Sequence, residues 1–284
     1  MAYDKTTVME SSVTTQWHPA FFGSLQIEFE KEADKLIFEN EHQLSTKPMA
    51  IDALIIKKIS DTPIRKNIGK IFRKYNIIEY KSPDDYLSID DFYKVYGYTC
   101  FYKYDTASVD EIKISELTIS FVSEGYPRKL INHLKNVKKY KISKYEKGIY
   151  YINGDIIPIQ IIVRKELSKT ENLWLASLTN SLHEKETVHR LLKSYGTHKT
   201  NPLYRSVMEI IAKNNRTIFE EEDYEMCQTL EDILDKKIAR ENAILQNRLN
   251  TLNIKLAESG RIDDIIKAAK DITYQSKLFE EFGL

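Results

Sequence analysis

The run Ile77-Ile78-Glu79-Tyr80-Lys81 constrains this chain more than any other stretch. Its apolar start reads as a buried strand. Side chains two apart on a strand share a face, so Glu79 and Lys81 point the same way. A second apolar run, Met49 to Ile56, contains a single acid, Asp52. Its nearly unbroken apolar character predicts a central strand buried on both faces. Charge on such strands costs several kcal/mol unless it is paired or holds a metal. Twenty-six residues separate Asp52 from Glu79, room for a turn, a short helical segment and a return strand. Two neighbouring strands that present Asp52, Glu79 and Lys81 together predict a Mg²⁺ site with a lysine beside it, assisted by the Tyr80 backbone carbonyl. Mg²⁺ takes hard oxygen ligands and keeps several waters. A metal-bound water beside Lys81 can be oriented and deprotonated to attack phosphorus, while metal and lysine stabilise the developing charge. The expected chemistry is phosphodiester hydrolysis with Mg²⁺, or Mn²⁺ in its place.

Asp52 followed by Glu79-x-Lys81 resembles the signature of the PD-(D/E)XK nucleases, with Ile51-Asp52 in place of the usual Pro-Asp. The wider string from Ile77 through Ser82-Pro83-Asp84-Asp85-Tyr86-Leu87-Ser88, leading into Asp91-Phe92-Tyr93-Lys94-Val95-Tyr96, resembles the transposase-like, recombination-promoting branch found in bacterial genomes. The likeness covers roughly residues 18–165, and the stretch from Ala257-Glu258-Ser259-Gly260 to Leu284 resembles the end of such proteins. The resemblance implies a restriction-endonuclease-like α/β/α core and a metal-dependent DNA endonuclease linked to transposition or recombination. It also implies that Glu28, in the first predicted helix, lends a third carboxylate to the site. Read from the residues alone, Glu28 is equally one of a solvated acidic set with Glu30 and Glu32.

Net charge is zero, so global electrostatics does not announce nucleic acid, but the charge is unevenly placed. Arg128 to Lys147 holds eight basic residues (Arg128, Lys129, Lys135, Lys138, Lys139, Lys141, Lys144 and Lys147) against one acid, Glu146. Glu220 to Asp235 holds eight acids and no base. Separate basic and acidic faces suit a phosphate binder of neutral total charge, and Tyr140 and Tyr145 interleave the basic block where rings can stack on bases. A solvated lysine-rich face is the alternative. Cys100 and Cys227 are far apart without metal-ligand spacing, which suits a reduced, cytoplasmic protein. No run reaches the ~18 apolar residues of a membrane helix, and Met1 to Ser12 has no apolar signal core.

Along the chain, residues 1–17 read as a flexible N-terminus, and Phe22, Leu25, Ile27, Phe29 and Ala33 predict a helix from about His18. Strands are expected over Leu36–Leu44, Met49–Lys57, Asn76–Lys81 and Leu117–Val122, with a helix over Ile89–Tyr102 capped by Ser88 and Asp91. Pro127–Val137 predicts a helix, and Gly148–Val163 a hairpin around Asn153-Gly154-Asp155, with Pro158 marking an edge strand or bulge. After about Ser168 the pattern is helical. Leu245, Leu249, Leu252 and Leu256, with Ile238 and Asn242 before them, have coiled-coil spacing. That seam suits a homodimer or packing on the chain's own helices. His183, Glu184 and His189 match no metal spacing. The fold class expected is α/β, with a mixed central sheet in residues 18–167 and a helical region over 168–284. Two function classes remain: a metal-dependent DNA endonuclease, or a catalytically inactive nucleic-acid-binding or interaction protein on the same core. Retention of Asp52, Glu79 and Lys81 together favours the first. A helical scaffold recruiting partners through its C-terminal coil is a third, weaker reading.

Overall fold

The computed structural model describes residues 17–39, 42–44, 49–51, 53–220 and 245–284. The chain forms two compact units, Met1–Glu222 and Asp223–Leu284. In the first, α1 (Trp17–Glu28) leads through a 3₁₀ turn into β1 (Leu36–Glu39), then β2 (His42–Leu44), β3 (Met49–Ile51) and β4 (Leu54–Lys58). β5 (Tyr75–Tyr80), α2 (Ile89–Tyr104), β6 (Leu117–Ser123), α3 (Arg128–Asn136), β7 (Lys141–Glu146), β8 (Ile149–Asn153) and β9 (Ile159–Val163) follow. The remainder of this unit is helical: α4 (Leu173–Ser177), α5 (Lys185–Gly196), α6 (Pro202–Asn214) and α7 (Arg216–Glu220).

The strands form a mixed seven-stranded sheet in the order β1-β4-β5-β6-β9-β8-β7. β4 runs antiparallel to β5, pairing Leu54 with Ile78, whereas β5, β6 and β9 are mutually parallel. β2 and β3 pair separately. The expected α/β class with a mixed sheet is therefore found. One face, carrying Ile55, Ile77, Ile119, Phe121 and Ile161, is closed by Phe92 and Val95 of α2 and Leu130, Ile131 and Leu134 of α3. On the other face Tyr80 stacks on Phe21 of α1, with ring centroids 4.1 Å apart. α1 is covered in turn by α4 and α6. Gly23 allows that crossing: a Cβ there would lie 2.7 Å from Val207 of α6. At Gly97 of α2, by contrast, an added Cβ would meet no described neighbour within 4 Å.

The structure redraws several expected boundaries. The helix from His18 ends at Glu28, and 3₁₀ geometry replaces it over Glu30–Lys35. The basic block contains a strand, β7, that the sequence pattern did not reveal. Pro158 precedes β9, a central strand, and its carbonyl accepts from Ile119 N, so it marks neither an edge nor a bulge. The single helix expected over Leu173–Tyr195 is two, α4 and α5. The division expected at 167/168 falls at 222/223, because α4 and α6 pack on α1.

In the second unit, α8 (described over 245–258), α9 (Ile262–Ala268) and α10 (Ile272–Glu281) enclose Leu252, Leu256, Ala268 and Leu278. The leucine seam is thus spent on the chain's own helices at Leu252 and Leu256, while Leu245 is exposed. Ile238, Asn242, Cys227 and all of the acidic stretch after Glu220 lie outside the described residues. Among the described residues no helix is long and apolar enough to cross a membrane.

Candidate active site

Glu79 is the penultimate residue of β5, and its side chain projects to the α2 side of the sheet, the face of Ile77. Lys81 follows the strand and stays in register, its N–H donating to Val122 O at 2.8 Å. The site therefore sits where the parallel strands β5 and β6 end. α2 supplies the other wall. Ser88 caps it, accepting from Asp91 N, while Asp91 accepts from Ser88 N in return. That reciprocal box fixes the first turn of the helix and aims Asp91 at the strand end.

Four charges meet there. Lys81 Nζ lies 2.8 Å from Asp91 Oδ1 and 3.4 Å from Glu79 Oε1. Lys94, one turn beyond Asp91, donates to the same Glu79 Oε1 at 2.9 Å. Glu79 is 3% exposed, against 35% for the Lys94 side chain. Glu79 Oε2 is buried and has no hydrogen-bond partner among the described residues. Burial pushes the Glu79 carboxyl above its ordinary range, against the pull of Lys94 and Lys81. Burial also disfavours the charged form of Lys81, but Asp91 and Glu79 outweigh it and hold the ammonium above its usual value. Burial would raise Asp91 too, yet the bonds from Lys81 and Ser88 bring it below the usual carboxylate range. Lys81 is thus a persistent cation, suited to donating a hydrogen bond and not to accepting a proton.

The other expected site residues lie as follows. Asp52 is outside the described residues; its neighbour Ala53 belongs to the buried cluster with Ile55 and Ile77. The Tyr80 side chain turns to the α1 face, beneath Arg164 at 5.2 Å, so only its backbone is at the strand end on offer to an ion. Glu28 does not join Glu79. Its Oε1 accepts from Trp174 N at 2.9 Å and Leu175 N at 3.0 Å, and its Oε2 accepts from Lys66 Nζ. It caps the start of α4 on the opposite face of the sheet, which corrects both the third-ligand and the solvated-surface expectation. Among the described residues no three metal-ligating side chains cluster. His183 and Glu184 are engaged elsewhere, with Ser181 O and Lys169.

Asp91 and Lys94 are the members that the sequence understated. Asp91 reads as a helix cap, and its second role, holding Lys81, becomes visible only once α2 lies beside β5. The i, i+3 spacing of Asp91 and Lys94 was the available signal.

The basic block supplies a second region. Arg128, Lys129 and Lys135 lie on α3, and Lys138 and Lys139 in the connection to β7, all exposed. Of the eight cations, only Lys144 approaches a described carboxylate, Glu166 Oε2 at 3.9 Å. The N-terminus of α3 is tied to the loop before α2 through Lys129 N and Tyr86 Oη at 3.2 Å, and α3 is joined to α2 itself through Tyr93 and His133 at 2.9 Å. Comparison with protein-family models, curated proteins and solved structures found no match to this chain.

Proposed function

We propose that this chain is a metal-dependent endonuclease that hydrolyses phosphodiester bonds in DNA. The observation that carries the reading is Glu79, a buried carboxylate with one oxygen held by two ammonium groups and the other without a partner among the described residues. A buried acceptor left unmade costs about 1–3 kcal/mol, so a fold that keeps one has a use for it or loses stability for nothing. The free oxygen suits a hard divalent ion. Glu79, Asp52 and the Tyr80 carbonyl would hold Mg²⁺, or Mn²⁺ in its place. When bound, such an ion supplies Lewis-acid activation and charge neutralisation at phosphorus.

The chain's own residues do the rest. Lys81, kept charged by Asp91 and Glu79, donates to a phosphate oxygen and stabilises negative charge there. Asp91 holds that ammonium in place. The exposed cations of α3 and the segment after it, without described carboxylates to neutralise them, position the phosphate backbone. The resemblance to recombination-promoting nucleases extends the proposal to transposition or recombination as the setting.

One observation favours a second reading, a nucleic-acid-binding protein without turnover. Lys81 and Lys94 together with Glu79 and Asp91 already balance to zero charge. Nicking of supercoiled plasmid with Mg²⁺ or Mn²⁺ separates the two. Wild type is expected to nick, and Lys81→Ala and Asp52→Ala to lose about 10²-fold or more with circular dichroism unchanged. Equal behaviour of all three would replace the nuclease with the binding protein.

A further inference from the structure

We infer that the β7–β8 hairpin carries a base-stacking platform for single-stranded DNA, built on Tyr145 and Tyr151. This rests on the proposed function for DNA as the polymer, and on the hairpin for the rest. The register of β7 on β8 slips between Lys144 and Glu146: Lys144 pairs with Tyr150, but Glu146 pairs with Ile149. Tyr145 is the extra residue of that bulge. Bulges re-aim side chains, and this one lays Tyr145 flat on Tyr151, with centroids 4.6 Å apart and planes 12° from parallel. Tyr150 and Ile152 face the core under α2 and α3, so Tyr151 and its stacked partner are on the opposite face. Tyr145 is 42% exposed. A parallel pair whose outer member is this exposed is already ordered for a third flat group to stack on.

The surroundings choose the third group. Lys141 and Lys147 belong to the same hairpin and are exposed, whereas Lys144 lies over the Tyr150 ring, on the other face. Glu146, the one acid of the block, is committed to Asn67 Nδ2 at 3.0 Å. Aromatic faces in a hairpin that also carries exposed cations match a chain that alternates bases with phosphates. Bases within a duplex already stack on each other and show no free face, so the platform discriminates for an unpaired strand. The nuclease would then hold DNA that has a single-stranded segment: duplex or strand phosphates on the cations, and an unpaired base on Tyr145.

Fluorescence anisotropy of the full chain in EDTA tests this without any cleavage. The probes are a labelled oligothymidylate of about 15 nucleotides, a duplex of equal length and an oligouridylate. The expected result is tighter binding of oligothymidylate than of duplex. Tyr145→Ala should weaken the single strand by roughly 5- to 100-fold and leave the duplex unchanged, while Tyr145→Phe restores binding. Equal loss on both polymers, no loss on either, or failure of phenylalanine to restore binding would overturn the platform. Preference for oligouridylate would overturn the assignment to DNA. Plasmid nicking by a Tyr145→Ala protein whose oligothymidylate binding is unaltered removes the platform and leaves the nuclease. Tyr145-dependent binding by a wild type that never nicks removes the nuclease and leaves the platform.

Discussion

Glu28 and Glu79 are both buried carboxylates, both pushed upward by burial and both held by lysine. They differ in what remains unused. Glu28 gives Oε1 to two backbone N–H groups at the start of α4 and Oε2 to Lys66. Glu79 concentrates two ammonium groups on Oε1 and leaves Oε2 without a described partner. A fully engaged acid is explained by the fold it closes. A half-engaged acid at the end of parallel strands is not, and that contrast separates a structural charge from a candidate functional one.

The same substitution at both sites is the strongest way to break that contrast. Glu28→Ala leaves two helix-start N–H groups without their acceptor and the Lys66 ammonium with the Glu171 carbonyl in place of a carboxylate, and should cost about 3–5 kcal/mol. Glu79→Ala leaves Lys81 on Asp91 and lets the partly exposed Lys94 reach water, so about 1–2 kcal/mol is expected. Urea unfolding of the two variants measures both. In plasmid nicking the ranking should invert, with Glu79→Ala inactive and Glu28→Ala retaining activity at temperatures where it stays folded. Equal stability losses would mean that the unused oxygen carries no information.

How much of this was written in the sequence depends on distance along the chain. β4, β5 and β6 announce themselves as apolar runs, and Ser88 with Asp91 marks the start of α2. β7 was hidden because Lys141, Ser143, Lys144 and Tyr145 are all exposed, leaving Ile142 as its partly buried side chain, so no alternation appears. The break between α4 and α5 was hidden because Leu178 and Leu182 continue the apolar spacing across it. Glu79 and Lys81 were found because they are two residues apart. Glu28 was misplaced because its partners lie 38 and 146 residues away, at Lys66 and Trp174. Only the packing of α4 on α1 creates that arrangement.

Lys94 sharpens the comparison from the side of the cation. Its ammonium shares Glu79 Oε1 with Lys81, and the Tyr98 ring 5.9 Å away offers it a second resting place. A divalent ion at Glu79 would be repelled by both lysines, and Lys94 is the more exposed of the two. Lys94→Met should therefore tighten Mn²⁺ binding by about tenfold, or ~1.4 kcal/mol, read by the loss of the free-ion spin-resonance signal. Unchanged affinity would show that Lys94 belongs to the fold in the way Lys66 does.

The smallest effect tests the Glu79 charge alone. The folded chain holds this carboxyl above its ordinary 4.5, so the folded state binds more protons than the unfolded one between that value and the folded one. Stability from protonated Glu79 is complete below 4.5 and is lost as pH rises through the folded value. Glu79→Gln cannot ionise and keeps its stability across that window. Measured against wild type, the variant should thus gain most near neutral pH, and the gain should fade as pH falls toward 4.5. Asp91 does not blur the comparison. Its carboxyl lies below its ordinary 3.8, so its contribution is present above that pH and lost only as pH falls through the lower folded value. Glu28 titrates in both proteins and cancels in the difference. A gain from Glu79→Gln that stayed constant from neutral pH to 4.5 would mean that the lysines neutralise Glu79 fully, and that its second oxygen carries no excess cost.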